Sequence, residues 1–229
     1  MTTAYDPAMP VLEIVSDVIC PWCYVGKRRL ALALEQLRDV PLAIRWRPFE
    51  LNPTMPVAGM DRRSYCVAKF GSLDDANQMY GRVLAAAQAD GLALNIERIT
   101  RTPNTRAAHR LIEYAGLQGV QDAMVDSLFE AYFVDGQDVG SAPQLIKLAV
   151  ALGLERTAVT AMLADSAGDA TIEAAERDAH ALGVEGVPAF FLQWSHAVLR
   201  RPESADHCAR PATRPRPRPV TGPDADKDR

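Results

Sequence analysis

Alternating apolar and polar positions near the start of the chain predict two β-strands, at residues 11–17 and 42–49. The stretch between them, residues 22–38, is rich in Ala, Leu, Lys and Arg and predicts a helix. A strand, a helix and a strand of these lengths form a βαβ unit. The handedness of such units makes the two strands parallel.

From about residue 62 to residue 182, the apolar positions follow the helical period instead. Most of the predicted helices begin at a cap-like Ser, Thr or Asp or at an early Pro, and end at Gly. Five amphipathic helices are predicted, at residues 73–91, 102–116, 120–136, 141–153 and 170–183. Strand character returns after the Gly-Val-Pro turn at residues 186–188. The pattern therefore predicts an α/β domain interrupted by a helical insertion, rather than two tandem domains.

Composition and charge narrow the class of protein. The chain has 229 residues, 48% of them hydrophobic, which is typical of a globular protein with a sizeable core. Its net charge of -4 gives no reason to expect binding to nucleic acid or to an anionic membrane surface, and no apolar run is long enough to cross a bilayer. The first residues lack the basic start and apolar region of a secretory signal, so a cytoplasmic location is expected.

Two of the four cysteines, Cys20 and Cys23, lie three positions apart where the first strand gives way to the first helix. The free N–H groups and the partial positive charge of a helix N-terminus favour a thiolate over a thiol. We therefore expect Cys20, just ahead of the helix, to be an exposed nucleophile of low pKa, and Cys23, in the first turn, to resolve the mixed disulfide. Pro21 suits the first turn of a helix, and Trp22 offers a substrate an apolar surface beside the sulfur.

Three kinds of site are compatible with this cysteine pair: a redox site, a metal site and two unreactive structural cysteines. A zinc site needs two further soft ligands, and the spare candidates Cys66, His207 and Cys208 do not form a second close pair. In a cytosolic chain, where thiols stay mostly reduced, a C-x-x-C beside a βαβ unit favours redox chemistry. No metal is expected, and Cys66 is interpreted as a bystander.

The Gly-Val-Pro turn before the last predicted strand is the second candidate element of the site. A proline in a tight turn is where a cis peptide bond is plausible, and we expect one at Val187–Pro188. A cis bond here would expose the Val187 backbone for pairing with an extended substrate. The alternative is an ordinary trans proline at the start of a strand.

Five segments carry a family resemblance: DVICPWCYVGKRRLALAL, FELNPTMP, NTRAAHRLIEYAG, LFEAYFVDGQDVG and ALGVEGVPAFF. Together they resemble the FrnE-type branch of the DsbA family, which also includes 2-hydroxychromene-2-carboxylate isomerases and is related to the kappa-class glutathione transferases. The resemblance implies an α/β, thioredoxin-like fold with a large all-helical insertion between the second and third strands. It also implies Cys20 as nucleophile, Cys23 as resolving thiol and Pro188 as the cis-proline. No metal or organic cofactor is implied, because the redox-active Cys20–Cys23 disulfide is itself the redox centre.

The resemblance also bears on substrate and on redox strength. Related isomerases and transferases commonly have serine in place of the first cysteine and bind or activate glutathione there. The presence of Cys20 therefore favours dithiol chemistry, with glutathione as a candidate co-substrate. Strongly oxidising DsbA proteins typically carry Pro-His between the cysteines, and Trp22 cannot supply that cation. We therefore expect the disulfide of this chain to be less oxidising than that of DsbA.

Two further residues are candidate substrate contacts because of the resemblance. Asn52 follows the second strand, where the family's active-site groove begins, and could contact a substrate backbone or glutathione; the alternative is a turn residue. His109 lies on a helix, opened by Asn104, that faces the active-site side in this family. It could tune Cys20 or bind substrate, and the alternative is a structural histidine. The predicted substrate-binding set is Pro21, Trp22, Asn52, His109 and Val187.

The predicted domains are discontinuous: residues 10–60 and 184–200 form the thioredoxin-like domain, and residues 61–183 form the helical insertion. Residues 201–229 are rich in Pro and Arg, show neither period and are expected to be disordered. The family instead continues with a strand, a Ser-Gly-Ala-Gln-like stretch and a final helix. A shifted reading frame would explain the difference, since one coding of residues 199–205 gives Ser-Gly-Ala-Gln-Ser-Pro when read one base later. A genuine disordered extension is the alternative.

The expected function is that of a thiol–disulfide oxidoreductase or disulfide isomerase acting on disulfide-containing proteins or small thiols. The alternative is a glutathione-dependent small-molecule isomerase or transferase of the 2-hydroxychromene-2-carboxylate isomerase type. A third hypothesis is a non-catalytic thiol-containing binding module, or a protein left inactive by its altered C-terminus. The chain is expected to be a monomer or a homodimer.

Overall fold

A computed structural model describes residues 9–192 and the short strand at 197–199. Its strands, in chain order, are β1 (Val11–Ser16), β2 (Ala43–Pro48), β3 (Met60–Asp61), β4 (Arg101–Thr102), β5 (Ala189–Leu192) and β6 (Ala197–Leu199). Its α-helices are α1 (Pro21–Gln36), α2 (Arg62–Phe70), α3 (Leu73–Ala89), α4 (Arg106–Leu117), α5 (Gln121–Phe133), α6 (Ala142–Ala151), α7 (Arg156–Ala164) and α8 (Asp169–Ala181). A short 3-10 helix, Ile96–Arg98, precedes β4.

The main sheet has four strands in the order β2-β1-β5-β6. Strand β1 pairs with β2 in parallel, from Val11 opposite Ala43 onward, which confirms the predicted βαβ unit. On its other side β1 pairs antiparallel with β5, and β5 pairs antiparallel with β6. Because β1 lies between two partners, its residues are buried almost without interruption. The C-terminal end of β1, which leads to Cys20, lies beside the N-terminal end of β5, which directly follows Pro188.

Within the described residues, every helix after α1 lies between β2 and β5, as the pattern of the sequence predicts. The five helices predicted there correspond to α3, α4, α5, α6 and α8. Two nine-residue helices, α2 and α7, are additional. The insertion also contains one antiparallel ladder, β3 with β4, so its regular secondary structure is helical except for two residues in each of two strands.

Local chemistry sets several of the helix ends. The side chain of Ser72 accepts the backbone N–H of Asp75 at 3.0 Å and so caps α3. The Glu155 carboxylate does the same for α7, accepting the N–H groups of the next turn at 2.9 and 2.8 Å. Helix α6 is followed by Gly153, whose φ of +82° is a left-handed conformation that glycine adopts without steric cost.

Two clusters of buried side chains hold these elements together. The larger one, here called the sheet core, joins β1 and β2 to α4 and α5; Ile14, Leu111, Phe129, Tyr132 and Phe133 are fully buried in it. The smaller one, here called the helical core, lies among α1, α2 and α3 and includes Val25, Tyr65, Cys66, Tyr80 and Val83. Full burial of one large apolar side chain contributes roughly 1.5–3 kcal/mol. Helix α5 therefore attaches the insertion firmly to the sheet.

Some sequence-based predictions fall on residues that the structure does not describe. The predicted tail at 201–229 lies outside the described residues, as do His207 and Cys208. The exact domain boundaries stay a prediction. Within the described part of the chain, no helix is both long enough and apolar enough to cross a membrane.

Candidate active site

The two cysteines occupy the N-terminus of α1. Cys20 is the residue that precedes the helix, with extended backbone angles of φ -87° and ψ 111°, and Pro21 is the first helical residue. The carbonyl of Cys20 accepts the backbone N–H of Cys23 at 3.0 Å, which places Cys23 in the first turn. The N–H of Cys20 is in turn donated to the carbonyl of Asp17 at 3.0 Å. The turn between β1 and α1 therefore fixes where the dithiol lies.

The burial of the dithiol differs from the prediction. Cys20 and Cys23 are 0% and 1% exposed. Burial raises the pKa of the Cys20 thiol well above its usual value, and the Cys23 thiol and the Asp17 charge raise it further. The backbone N–H of Cys23 lowers this pKa, as a helix N-terminus should, but its effect is the smaller one. The prediction of an exposed Cys20 of low pKa is wrong for this structure, because desolvation outweighs the helix terminus.

The Gly-Val-Pro turn packs directly against the first cysteine. The Val187–Pro188 peptide bond is cis, the isomer that the sequence predicts. The Cys20 thiol donates to the carbonyl of Val187 at 3.5 Å. Val187 is only 1% exposed, so the prediction of an exposed backbone is wrong here: the carbonyl faces the thiol.

Helix α1 approaches the proline closely because it has a glycine at the contact. A Cβ atom placed on Gly26 would lie 3.1 Å from Cγ of Pro188, tighter than an ordinary van der Waals contact. Gly26 follows Cys23 by one turn on α1. The missing side chain therefore lets the helix that carries the dithiol pack on the half-buried Pro188.

A buried acid, Asp17, lies beneath the cysteine pair. Its side chain is fully buried and accepts the backbone N–H of Leu51 at 2.8 Å and that of Ile19 at 3.4 Å. The contact with Ile19 holds the turn that leads to Cys20. The contact with Leu51 ties this turn to the segment after β2. A carboxylate at the end of β1, three positions before a C-x-x-C, is the signal in the sequence that could have identified Asp17, but the sequence analysis did not single it out.

Helix α4 brings His109 to this acid. Nε2 of His109 lies 3.4 Å from Oδ1 of Asp17, and the histidine is 2% exposed. By geometry, Nε2 of His109 has no hydrogen-bond partner among the described residues, and its contact with Asp17 is an ion pair only when the imidazole is protonated. Burial acts to lower the pKa of His109, but the nearby carboxylates of Asp17, Glu50 and Glu176 raise it more, and the net shift is upward from 6.5.

Other polar groups lie around the contact between Asp17 and His109. Arg106 of α4 binds the buried Glu50 carboxylate at 2.7 and 3.1 Å, and Glu176 of α8 accepts the backbone N–H of Glu50 at 2.5 Å. A cavity of about 10 Å³, about the size of one water molecule, adjoins His109. Ser16 and Glu113 are among its lining residues. The rest of its lining is mixed, with Arg47 as a further polar residue and Val18, Trp46, Ile112 and Val125 as apolar ones.

The remaining predicted substrate contacts have surroundings of their own. Trp22 is half-buried and packs against both cores. Asn52 is half-buried too, and its amide bonds the hydroxyl of Tyr65 at 3.2 Å and the ammonium of Lys69 at 3.4 Å. Asn104 donates to the carbonyl of Met55 at 2.8 Å and so braces the loop after β2.

Cys66 lies apart from the dithiol. It is buried in the helical core and borders a cavity of about 610 Å³ between α2 and α3. Burial raises the pKa of its thiol. Among residues 9–192, no group of three or more His, Cys, Asp or Glu side chains is arranged to hold a metal ion.

Comparison with known proteins gives a consistent result. Residues 11–201 match the family model of the DsbA-like thioredoxin domain. A crystal structure of a probable DsbA oxidoreductase from Streptomyces coelicolor is 35% identical, with a TM-score of 0.73 and 82% of each chain covered. Among curated proteins, YwbO from Bacillus subtilis is 26% identical over 147 residues, which are 63% of this chain and 66% of YwbO, just under two thirds of that protein.

Two more distant structures share the fold. One is a 2-hydroxychromene-2-carboxylate isomerase, 20% identical, with a TM-score of 0.63 over 79% of this chain and 84% of that one. The other is the cytosolic disulfide reductase DsbM from Pseudomonas aeruginosa with GSH, 23% identical, with a TM-score of 0.60 over 83% and 89% of the two chains. With the family model matched over most of its length, this chain belongs to the family of the DsbA-like thioredoxin domain.

Proposed function

We propose that the chain is a thiol–disulfide oxidoreductase or disulfide isomerase that works through Cys20 and Cys23. The observation that carries the proposal is the placement of this dithiol at the N-terminus of α1, with the Cys20 sulfur against the Val187 carbonyl, in a DsbA-like fold. Disulfide-containing proteins or small thiols are the proposed substrates. The proposed compartment is the cytoplasm, where a reduced dithiol is the resting state.

The proposed reaction has two exchange steps. The Cys20 thiolate attacks one sulfur of a substrate disulfide, a bond forms between the two sulfurs, and the other substrate sulfur leaves as a thiolate that takes up a proton. The Cys23 thiolate then attacks the Cys20 sulfur. The Cys20–Cys23 disulfide forms, and the substrate leaves with both of its sulfurs reduced. Run in reverse, the same steps oxidise a substrate dithiol.

The electrostatics of the site favour the reducing and isomerising directions. DsbA is a strong oxidant, with a potential of about -120 mV, because its reduced form is stabilised. Here burial and the Asp17 charge oppose the Cys20 thiolate, and Trp22 brings no cation. We therefore expect a reduction potential clearly below that of DsbA. A potential near about -120 mV would contradict this part of the proposal.

The test uses the full chain in glutathione redox buffers, with the state of each cysteine read by alkylation and peptide mass spectrometry. Wild-type protein should reduce insulin in the presence of a thiol reductant, and Cys23→Ser should accumulate a mixed disulfide on Cys20. Cys20→Ser should abolish exchange. Cys66→Ser is the matched control, a buried cysteine outside the site, and should exchange normally. Loss of exchange in Cys66→Ser, or full activity in Cys20→Ser, would refute the assignment.

A glutathione-dependent isomerase or transferase is the second candidate. It is favoured by the cluster of the half-buried Asn52 and Lys69 with the buried Tyr65, whose amide, ammonium and hydroxyl are groups that suit a peptide-like carboxylate. Under this alternative, Cys20→Ser keeps glutathione binding and small-molecule turnover, whereas under the first proposal it loses disulfide exchange. Asn52→Ala should weaken glutathione binding only if the tripeptide occupies this cluster.

A further inference from the structure

The acid beneath the dithiol and the histidine beside it form a charge pair that the exchange steps above do not use. Asp17 and His109 lie 92 positions apart in sequence, yet Oδ1 and Nε2 are 3.4 Å from each other with both side chains closed off from solvent. Asp17 is also joined to Cys20 through the 3.0 Å backbone hydrogen bond of the same turn. The Asp17 charge raises the pKa of the Cys20 thiol, although less than burial does, and His109 can act on the thiol by balancing that charge.

Charged groups from several elements lie around His109, and most of these groups already have other binding partners. The Glu50 carboxylate, after β2, is already bound by Arg106 of α4. Glu176 of α8 accepts a backbone N–H, and Glu113, one turn along α4, borders the small cavity together with Arg47 of β2. Asp17 is the carboxylate that lies against the imidazole itself. Its charge is therefore the one that His109 most directly balances.

We propose that His109, through Asp17, sets how readily the buried Cys20 thiol loses its proton. When His109 is neutral, the Asp17 carboxylate stands uncompensated and opposes a second negative charge on sulfur. When His109 is protonated, the pair has no net charge and the opposition falls away. In this proposal, His109 is a positioning residue: it acts on Cys20 by balancing the Asp17 charge and does not contact the substrate. The inference rests on the proposed dithiol function and adds pH dependence to it.

The step controlled in this way is the ionisation of Cys20. The S–H bond breaks, the electron pair stays on sulfur, and the proton passes to the buffer. Linkage is reciprocal, so a Cys20 thiolate also makes His109 bind its proton more tightly. Between the two ionisations, the thiolate fraction therefore rises less steeply with pH than that of an isolated thiol.

Two substitutions with opposite expected signs test the proposal. Asp17→Asn keeps an acceptor for the Leu51 N–H but removes the charge, so Cys20 of the reduced full chain should be alkylated at least about tenfold faster near neutral pH. His109→Gln leaves the Asp17 charge uncompensated and should slow alkylation by about tenfold at pH 6, with little effect at pH 9. The rate at Cys20 is read from the alkylated peptide by mass spectrometry. His180→Gln, an exposed histidine on α8, is the matched control and should not change the rate.

The double variant separates an electrostatic role from a structural one. With Asp17→Asn present, His109 has lost the contact that favours its protonation, so adding His109→Gln should change the rate by less than about threefold. If both single variants move the rate in the same direction, or if His109→Gln has the same effect in both backgrounds, the proposal is overturned.

A further measurement needs no change at His109. The wild-type alkylation rate should rise with pH less steeply than tenfold per pH unit where His109 titrates, whereas Asp17→Asn should follow the full tenfold slope. A full slope in wild type would contradict the proposal even if His109→Gln does not fold. Insulin reduction is measured separately: if wild type cannot exchange disulfides but the opposite signs hold, the proposed function fails and the charge inference stands.

Discussion

The contact between α1 and α5 offers a sharp test of how the insertion supports the helix that carries the dithiol. Lys27 of α1 is nearly buried and binds two acids of α5, Asp122 at 2.7 Å and Asp126 at 3.1 Å. Asp122 alone also accepts the indole N–H of Trp46, at 2.8 Å. The two carboxylates lie one turn apart and are 57% and 56% exposed. Asp126→Ala is therefore a matched control for Asp122→Ala.

The expected difference follows from these contacts. Asp122→Ala leaves the buried indole N–H of Trp46 without its acceptor, at a cost of about 1–3 kcal/mol. The lost ion pair costs up to about 1 kcal/mol more, because the carboxylate is exposed and Lys27 keeps Asp126. Asp122→Ala should therefore lower the free energy of unfolding by about 1–4 kcal/mol. Asp126→Ala, which removes only an exposed ion pair, should lower it by no more than about 1 kcal/mol.

The assay is urea unfolding followed by circular dichroism, with thermal melting as a second measure. For a chain of this length, about 2–4 °C of Tm corresponds to each kcal/mol, so Asp122→Ala should melt roughly 2–16 °C below wild type. In a Trp46→Phe background, the cost of Asp122→Ala should fall by about 1–3 kcal/mol, since there is no indole N–H to leave unpaired. Equal losses for the two aspartates, or no change in the Trp46→Phe background, would refute the reasoning.

Three further predictions concern stability. Gly136 has φ +69°, and an added Cβ would meet the Arg98 carbonyl oxygen closely, so Gly136→Ala should cost about 1–3 kcal/mol more than Gly153→Ala, whose position is open, in urea unfolding. Arg110→Met should cost about 2–4 kcal/mol in the same assay, because the guanidinium donates to two carbonyls at the end of α7 and to a carboxylate of α8. The pKa of His109 is raised on folding, so its protonation stabilises the fold fully below about pH 6.5 and ceases to do so as pH rises through the folded value. His109→Gln should thus lose more stability, relative to wild type, at pH 5.5 than at pH 8.5; the opposite order would show that Asp17 does not hold the proton there.

Local patterns in the sequence were enough to predict the scaffold. The alternation of β1 and β2, the helix between them and the proline turn before β5 all depend on neighbours within a few positions. The ladder of β3 and β4 has two residues in each strand, too few to show a period. Helices α2 and α7, at nine residues each, give a period too short to separate from their neighbours. The fold class was therefore predictable, whereas the details of the insertion were not.

The position of the candidate site at the start of α1 could be predicted, but its surroundings could not. The spacing of Cys20 and Cys23 depends on the local helix start, and a helix N-terminus by itself favours a thiolate. The burial that reverses this preference comes from segments far along the chain, such as Val187. The contact of Asp17 with His109 likewise joins residues that no sequence period relates. Long-range packing sets the pKa of the Cys20 thiol, and that packing cannot be predicted from the local patterns of a single sequence.

The hydrogen bond from Cys20 to Val187 has a consequence for the chain during its synthesis. The two residues are 167 positions apart. At about 5–20 residues per second, a ribosome needs roughly 10–30 seconds to pass from one to the other. For that interval the nascent chain carries a thiol whose covering carbonyl does not yet exist, so oxidants and passing thiols meet Cys20 more freely at this stage than in the finished protein. The thiol of Cys20 is therefore most accessible before Val187 has been synthesised.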